Sequence, residues 1–365
     1  MRFSSIRFST IQIILLFGFV IRTISLFHGL SFHPDERHMV NVTSSLSLKD
    51  MNPHSFAYGS LPFYLVWIAA NIIGVVFPSL NTYDGIYLVG RASCIVTGTI
   101  GIWLVYLIAK EIFDDQISPL LTALLLATNP LHIQLSHFFT SDVILTSLLE
   151  ATFLFIIKFG VTKNTKFFYL ASLFFGMSMA TKITAIFLLP VLSLTIMHFF
   201  YVQFTAKKWQ ILPQIMILIM LSSMISMITF ILIEPYAILD FKTFVANTKE
   251  QTDMVRGIWR PPYAIQYAGT ISYLYPIQQM FFYTITPPFA LLAIIGLSSS
   301  IIKREKEFYL ITFFVLFFFA IVGQYWMKYP RYMLPVFPYI MILITAGVAH
   351  ILKYFKTDNP QYPNT

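Results

Sequence analysis

The heptapeptide Phe32-His33-Pro34-Asp35-Glu36-Arg37-His38 sets two adjacent carboxylates among histidines, directly after an apolar run over residues 11–30. Acids at the mouth of a hydrophobic segment are costly unless they stay wet or are paired for a purpose. In a water-filled pocket Asp35 can do acid–base chemistry; the plainer alternative is a solvated loop that happens to carry charge. Neighbouring helical residues point about 100° apart, so one carboxylate can face a substrate while the other orients a neighbour. His33 and His38 are suitable metal ligands, but the His-Glu-x-x-His signature of zinc hydrolases is absent.

A second acid, Asp142, opens the apolar stretch Ser141-Asp142-Val143-Ile144. It reads either as a further pocket carboxylate or, with Ser141, as a helix cap that suits the dipole. Glu150, two turns deeper, is either a packing group with a partner or a pocket lining. Four cations stand out: Arg22 inside the first apolar run, and Arg91, Lys182 and Arg331 at the starts or turns of later ones. Singly each suits a membrane-interface anchor. Gathered at one face opposite carboxylates, they make a phosphate pocket, because charge-assisted hydrogen bonds away from bulk water stabilise a departing phosphate. The segment 234–285, with Glu234, Asp240, Arg256, Trp259 and many tyrosines, is too long for a bare connection. Its aromatic residues suit a headgroup belt or the face of a sugar. Asn41-Val42-Thr43 fits a glycosylation acceptor, a motif too short to weigh.

The elements that must position these groups are apolar helices. The chain has 365 residues, 57% of them hydrophobic and 11% charged, with mean hydropathy +0.73. Soluble domains carry roughly 25% charged residues. Recurrent apolar runs of near-spanning length indicate a polytopic all-α membrane protein, and alternating barrel strands are absent. The single cysteine, Cys94, forms no internal disulfide. The net charge of +8 needs only basic loops against anionic lipid, so no nucleic-acid partner is implied.

Parity of the spans decides the topology. Arg2 and Arg7 put the N-terminus in the cytoplasm. If 61–77 lies in the interface instead of crossing, the clusters Lys163/Lys166, Lys207/Lys208, Lys303/Arg304/Lys306 and Lys353/Lys356 all face the cytoplasm. The remaining spans then fall at about 86–109, 118–137, 142–158, 167–181, 183–203, 211–233, 286–302, 308–327 and 333–352, about ten with the first. Residues 31–85 form the first outer loop and 234–285 a long one. Asp35, Asp142, Arg91, Lys182 and Arg331 fall on the same, non-cytoplasmic side.

With these residues in place, the pattern resembles the polyprenyl-phosphate-sugar glycosyltransferases of the GT-C fold, in the branch of protein O-mannosyltransferases and lipid A aminoarabinose transferases. The likeness covers most of the chain. It rests on Arg22 ahead of Asp35-Glu36, Leu61-Pro62-Phe63-Tyr64, Gly90-Arg91-Ala92-Ser93, Asp142, the turn from Gly176 to Thr181-Lys182, and Arg331-Tyr332-Met333-Leu334-Pro335. The resemblance implies one GT-C-like domain over 1–365 with interfacial helices in the first outer loop. It implies inverting transfer of a sugar from a dolichyl- or undecaprenyl-phosphate donor to an acceptor hydroxyl on a protein, lipid or glycan. Carried over, Asp35 is the general base, Glu36 shapes the pocket and Asp142 is the second acid. Arg22, Arg91, Lys182 and Arg331 are candidates for the lipid phosphate, and His54, Tyr58, Arg256 and Tyr332 for the substrate pocket. Members differ in whether they need a divalent metal, so the resemblance leaves that open. The membrane would be the plasma or inner membrane in a prokaryote and the endoplasmic reticulum in a eukaryote. With the sequence reaching Thr365, no soluble C-terminal domain like that of the larger members is expected.

Two other classes compete. A carrier or flippase for a lipid-linked sugar or anion would show repeated halves and broken spans around the midplane. Here no repeated halves are evident and the ionisable residues gather at one face. A non-catalytic subunit that keeps the scaffold fits poorly with an intact acidic pair.

Overall fold

The computed structural model describes residues 3–24, 26–27, 33–303 and 306–357; Phe32, Arg304 and Thr365 lie outside them. Among the described residues every element is a helix, and the one β feature is an isolated bridge between Ser47 and Asp50. After α1 (Phe3–Thr23), the helices α2 (Pro34–Ser45) and α3 (Ser60–Gly74) build the first large connection. Next come α4 (Tyr83–Ile112), α5 (Ser118–Ala127), α6 (Pro130–Ser136), α7 (Ser141–Thr162) and α8 (Thr165–Met179). A 3-10 segment, Ile183–Leu188, leads into α9 (Leu189–Lys207), followed by α10 (Leu212–Ile233). The second large connection holds α11 (Tyr236–Leu239), α12 (Phe241–Arg256) and α13 (Leu274–Gln279). The bundle closes with α14 (Pro287–Lys303), α15 (Lys306–Val322), a 3-10 segment over Pro330–Val336, and α16 (Phe337–Thr357).

Five segments are long and apolar enough to cross a bilayer: Tyr83–Ile112, Ser141–Thr162, Ile183–Gln203, Trp209–Ile233 and Pro330–Phe355. A sixth results if Leu274–Thr284 and Pro287–Ile302, bent by 118° at their junction, act as one broken crossing. Other expected spans are apolar helices of shorter length, including Thr10–Thr23, Ser118–Ala127 and Phe308–Val322. The continuous crossing expected over 118–137 is interrupted. Asn129 caps α6 by accepting the His132 N–H at 3.0 Å, and Pro130 takes the first helical position. That pair favours a new helix start over continuation, so local capping chemistry overrides the apolar run. The segment at 61–77 forms α3, whose 15 residues reach about 22 Å. A hydrocarbon core is about 30 Å thick.

The main core runs through α4, α5, α7, α8 and α16, with Phe153 and Phe314 against Tyr339 at centroid distances of 4.7 and 5.1 Å. A second cluster joins Met39 and Val40 of α2, Phe63 and Val66 of α3, and Ile86 and Tyr87 of α4. It seats the first connection on one end of the bundle. At that end α7 begins, α8 and α10 finish, and Pro330–Val336 enters α16, as the contacts below show. The Lys163/Lys166 turn, at the far end of α7, lies at the opposite end.

Without water to drive apolar helices together, close association inside a membrane relies on small residues that let backbones touch. Helices α14 and α16 cross at Gly296 and Gly347. A Cβ on Gly296 would lie 1.9 Å from the Leu343 carbonyl oxygen, and one on Gly347 2.1 Å from that of Leu292. Gly347→Val is therefore expected to force the pair apart, lowering the thermal midpoint and the monodisperse yield in detergent. Gly160→Ala, whose added Cβ meets nothing within 4 Å, should change neither; melting curves and size-exclusion profiles provide the comparison.

Candidate active site

Helix α2 aims the acidic pair. His33 caps it, its Nδ1 accepting the Asp35 N–H at 3.2 Å, and Pro34 occupies the first turn, where its missing N–H costs nothing. The two carboxylates in that turn also suit the positive end of the helix dipole. They then diverge. Asp35 turns to a cavity and pairs with Arg331 through Oδ2 and Nη1. Glu36 turns into the bundle, fully buried, and meets Arg91 in a two-pronged pair: Nε to Oε1 and Nη2 to Oε2, each 2.7 Å. Glu36 Oε1 also accepts the Phe139 N–H at 3.1 Å. Phe139 reaches this position because residue 90 is glycine; a Cβ there would lie 2.4 Å from its ring.

Asp142 sits in the first turn of α7. The expected capping role goes to Thr140, without a side-chain bond, and Asp142 instead accepts Lys182 Nζ at 2.8 Å. Lys182 follows α8, in a turn fixed by the first connection. Gly59 N–H donates to Thr181 O and Leu61 N–H to Ala180 O, each 3.0 Å. Only glycine permits this approach, since a Cβ at residue 59 would lie 2.1 Å from Ala180 O. Lys182 Nζ lies 5.6 Å from the Tyr58 ring and 5.5 Å from that of Tyr332, while Arg331 lies 4.7 Å from Tyr329 and 5.7 Å from Tyr332. Cation–π contacts of this length stabilise the charges where water is scarce. Arg331 Nε is buried with no hydrogen-bond partner among the described residues.

These two ion pairs lie side by side on a cavity of about 1410 Å³. Its lining combines the polar residues His33, Asp35, His38, Tyr58, Asp142, Lys182 and Arg331 with the apolar residues Ile183, Ile186, Phe187, Phe318, Ile321 and Val322. Small-ligand pockets are about 300–1,000 Å³, so more than one group fits. Burial lowers the imidazole pKa of His33 and of His38, with Asp35 acting in the opposite sense. Burial, then Asp35, raises the phenol of Tyr58.

The structure gathers Asp35, Asp142, Lys182, Arg331, Tyr58, Tyr332 and Arg256 along this cavity. It does not bring the other expected residues there. Arg22 is fully buried in α1, donating to the carbonyls of Gly18, Ala127 and Leu126 and contacting His132, so its guanidinium is committed within the bundle. Arg91 is committed to Glu36 and the Leu26 carbonyl, and neither lines the cavity. Of the four cations expected at a phosphate, these two lie off the cavity, and Glu36 is turned away from it behind Asp35. His54 is surface-exposed, paired with Asp50 at 3.1 Å, which removes it from the pocket set.

One cavity residue escaped notice as a site residue. Glu234, just past α10, is buried and lines the cavity; its carboxylate accepts both the backbone N–H of Ser60 and the Ser60 hydroxyl, the latter at 2.8 Å. It thereby closes the N-terminus of α3. The signal was an acid directly ending a long apolar run. Burial raises its pKa to about 7, against the pull of the two Ser60 hydrogen bonds. Among the described residues no three of His, Cys, Asp and Glu converge closely enough to hold a metal ion.

Comparisons with known proteins relate this all-helical bundle to membrane glycosyltransferases of the GT-C fold. Residues 61–232 match the family model of dolichyl-phosphate-mannose-protein mannosyltransferase. No curated protein matches by sequence. The structure is similar to the archaeal oligosaccharyltransferase AglB from Archaeoglobus fulgidus in complex with an inhibitory peptide and a dolichol-phosphate. The TM-score is 0.61 at 10% identity, over 98% of this chain and 52% of that one. It is also similar to ArnT from Cupriavidus metallidurans bound to undecaprenyl phosphate, with TM-score 0.62 at 15% identity over 92% of this chain and 59% of that one. The chain thus spans somewhat more than half the length of these structures. It has the fold of the GT-C glycosyltransferases.

Two outcomes are expected. Truncating one partner of a buried ion pair strands the other, so Arg91→Leu should cost about 3–5 kcal/mol of stability, and adding Glu36→Leu should return part of it; chemical or thermal unfolding measures both. For Glu234 the folded pKa, about 7, exceeds the ordinary 4.5. The unfolded chain therefore releases this proton first, and stability falls as pH rises from about 4.5 to 7. His33 and His38 act oppositely at the acid side, so the wild-type minus Glu234→Gln difference in thermal midpoint isolates the effect. That difference should favour wild type most at pH near 5 and shrink by pH near 8.

Proposed function

We propose that the protein is a membrane glycosyltransferase that moves a sugar from a polyprenyl-phosphate donor to an acceptor hydroxyl, with inversion, Asp35 serving as general base. The observation that carries this reading is the cavity itself, whose lining combines two carboxylates and two cations, joined in ion pairs, with a set of apolar side chains. The apolar lining suits the polyprenyl chain. Lys182 and Arg331 suit its phosphate, and the buried, unpartnered Nε of Arg331 gives a further donor. AglB and ArnT, in the structures above, hold dolichol-phosphate and undecaprenyl phosphate, which supports a lipid phosphate as the common ligand.

In this reading the donor phosphate replaces Asp35 on Arg331, and the freed carboxylate accepts the acceptor's O–H proton. The acceptor oxygen bonds to the anomeric carbon as the bond from that carbon to the phosphate oxygen breaks. The leaving polyprenyl phosphate takes the electron pair, and Lys182 and Arg331 hold the charge it gains. Asp142 orients Lys182. Arg256 and Tyr332 border the acceptor's approach.

The cavity end lies opposite the Lys163/Lys166 turn, so the positive-inside tendency puts the reaction on the non-cytoplasmic face. The carrier reading has less support, because the ion pairs Asp35–Arg331 and Asp142–Lys182 sit together at one end of the bundle.

Purified protein in lipid nanodiscs, given a labelled polyprenyl-phosphate sugar and candidate acceptors, should release polyprenyl phosphate and form a product of inverted anomeric configuration. Asp35→Asn is expected to lower turnover by about 10²–10⁴-fold, and Lys182→Ala to weaken donor binding. Full turnover by the Asp35→Asn enzyme would remove the base assignment. Vesicle transport without any acceptor would favour the carrier instead.

A further inference from the structure

We infer that the bundle encloses a second polar site, separate from the cavity, in which Arg22, His132, Ser147 and Glu150 hold ordered water. Arg22 Nη2 lies 2.8 Å from His132 Nδ1. A guanidinium only donates, so Nδ1 must accept, and the imidazole carries its hydrogen on Nε2. That Nε2 has no hydrogen-bond partner among the described residues, and neither has either carboxyl oxygen of Glu150; both residues are fully buried. Ser147 Oγ donates to the Thr97 carbonyl at 2.9 Å, which leaves its lone pairs free to accept.

The unmet groups face one another over Gly101. The point where a Cβ on Gly101 would stand is 2.9 Å from Glu150 Oε2, 3.0 Å from Ser147 Oγ and 3.6 Å from His132 Nε2. Three polar atoms from two elements therefore converge above a residue that has no side chain. A buried donor and a buried carboxyl group left unmet are both costly. The usual remedy is an internal water with about three polar partners, and this site supplies that number.

Charge complementarity selects the ligand. A metal cation would meet the Nε2 hydrogen with the Arg22 guanidinium behind it, and an anion would meet Glu150. Water accepts from Nε2–H and donates to the carboxyl group, so it satisfies both sides. None of these residues lines the cavity. Leu131 and Gln134, on the same short helix α6 as His132, do line it. The water-filled chain from Arg22 to Glu150 thus fixes a cavity wall from behind, joining α1, α6 and α7 where the apolar run at 118–137 breaks.

A cryo-EM map of the wild-type protein in nanodiscs, at a resolution that shows water, should contain density within hydrogen-bond reach of Glu150, Ser147 and His132 Nε2. A dry gap, or Glu150 swung directly onto His132, would overturn the inference. Gly101→Ala places a methyl group at the convergence point and should expel the density and lower the thermal midpoint; density retained beside the methyl group would also overturn it. Glu150→Leu and His132→Leu should be coupled, the double variant melting no lower than the worse single one, and additive losses would count against the shared water. If the leucine variants fail to accumulate, the wild-type and Gly101→Ala maps still decide.

Discussion

The Glu36–Arg91 pair is the constraint from which the site follows. Two carboxylates in sequence at a membrane mouth cannot both face the same pocket, and the one turned inward needs a full set of donors. Arg91 supplies two and the Phe139 N–H a third. The pair pins α2 to α4, and through Phe139 to the approach of α7, which leaves Asp35 no choice but the cavity. Asp142, three residues beyond Phe139, is carried to the same wall.

A second set of contacts holds the opposite side. Gly59, Ser60 and Leu61 join the start of α3 to the Ala180–Thr181–Lys182 turn and to Glu234. The first connection therefore acts as a clasp across the ends of α8 and α10, and Lys182 is placed by main-chain hydrogen bonds in addition to its own side chain. Residues far apart in the chain reach the cavity because backbone groups, which any loop must satisfy, are satisfied on one another.

Much of this was legible in the amino-acid sequence. The divergence of Asp35 and Glu36 follows from helical geometry alone, and the grouping of Asp142, Lys182 and Arg331 with Asp35 follows from counting spans. What spacing does not reveal is the direction an arginine faces within an apolar helix. Arg22 and Arg91 were expected at a phosphate, yet both turn into the bundle, one to carbonyls freed by the break between α5 and α6, the other to Glu36. The break itself was written as Asn129-Pro130, but the apolar residues around it masked the signal. Glu234 was visible as an acid ending an apolar run; its partner, Ser60, lies 174 residues away, beyond the reach of any local pattern.

Tyr332 lies near two positive centres, 5.5 Å from the ammonium of Lys182 and 5.7 Å from the guanidinium of Arg331. One aromatic ring thus serves both basic residues of the cavity, Lys182 held by Asp142 and Arg331 held by Asp35. A single substitution at residue 332 therefore reaches two ion pairs whose four members come from distant parts of the chain, which makes the phenol ring the shared floor of both.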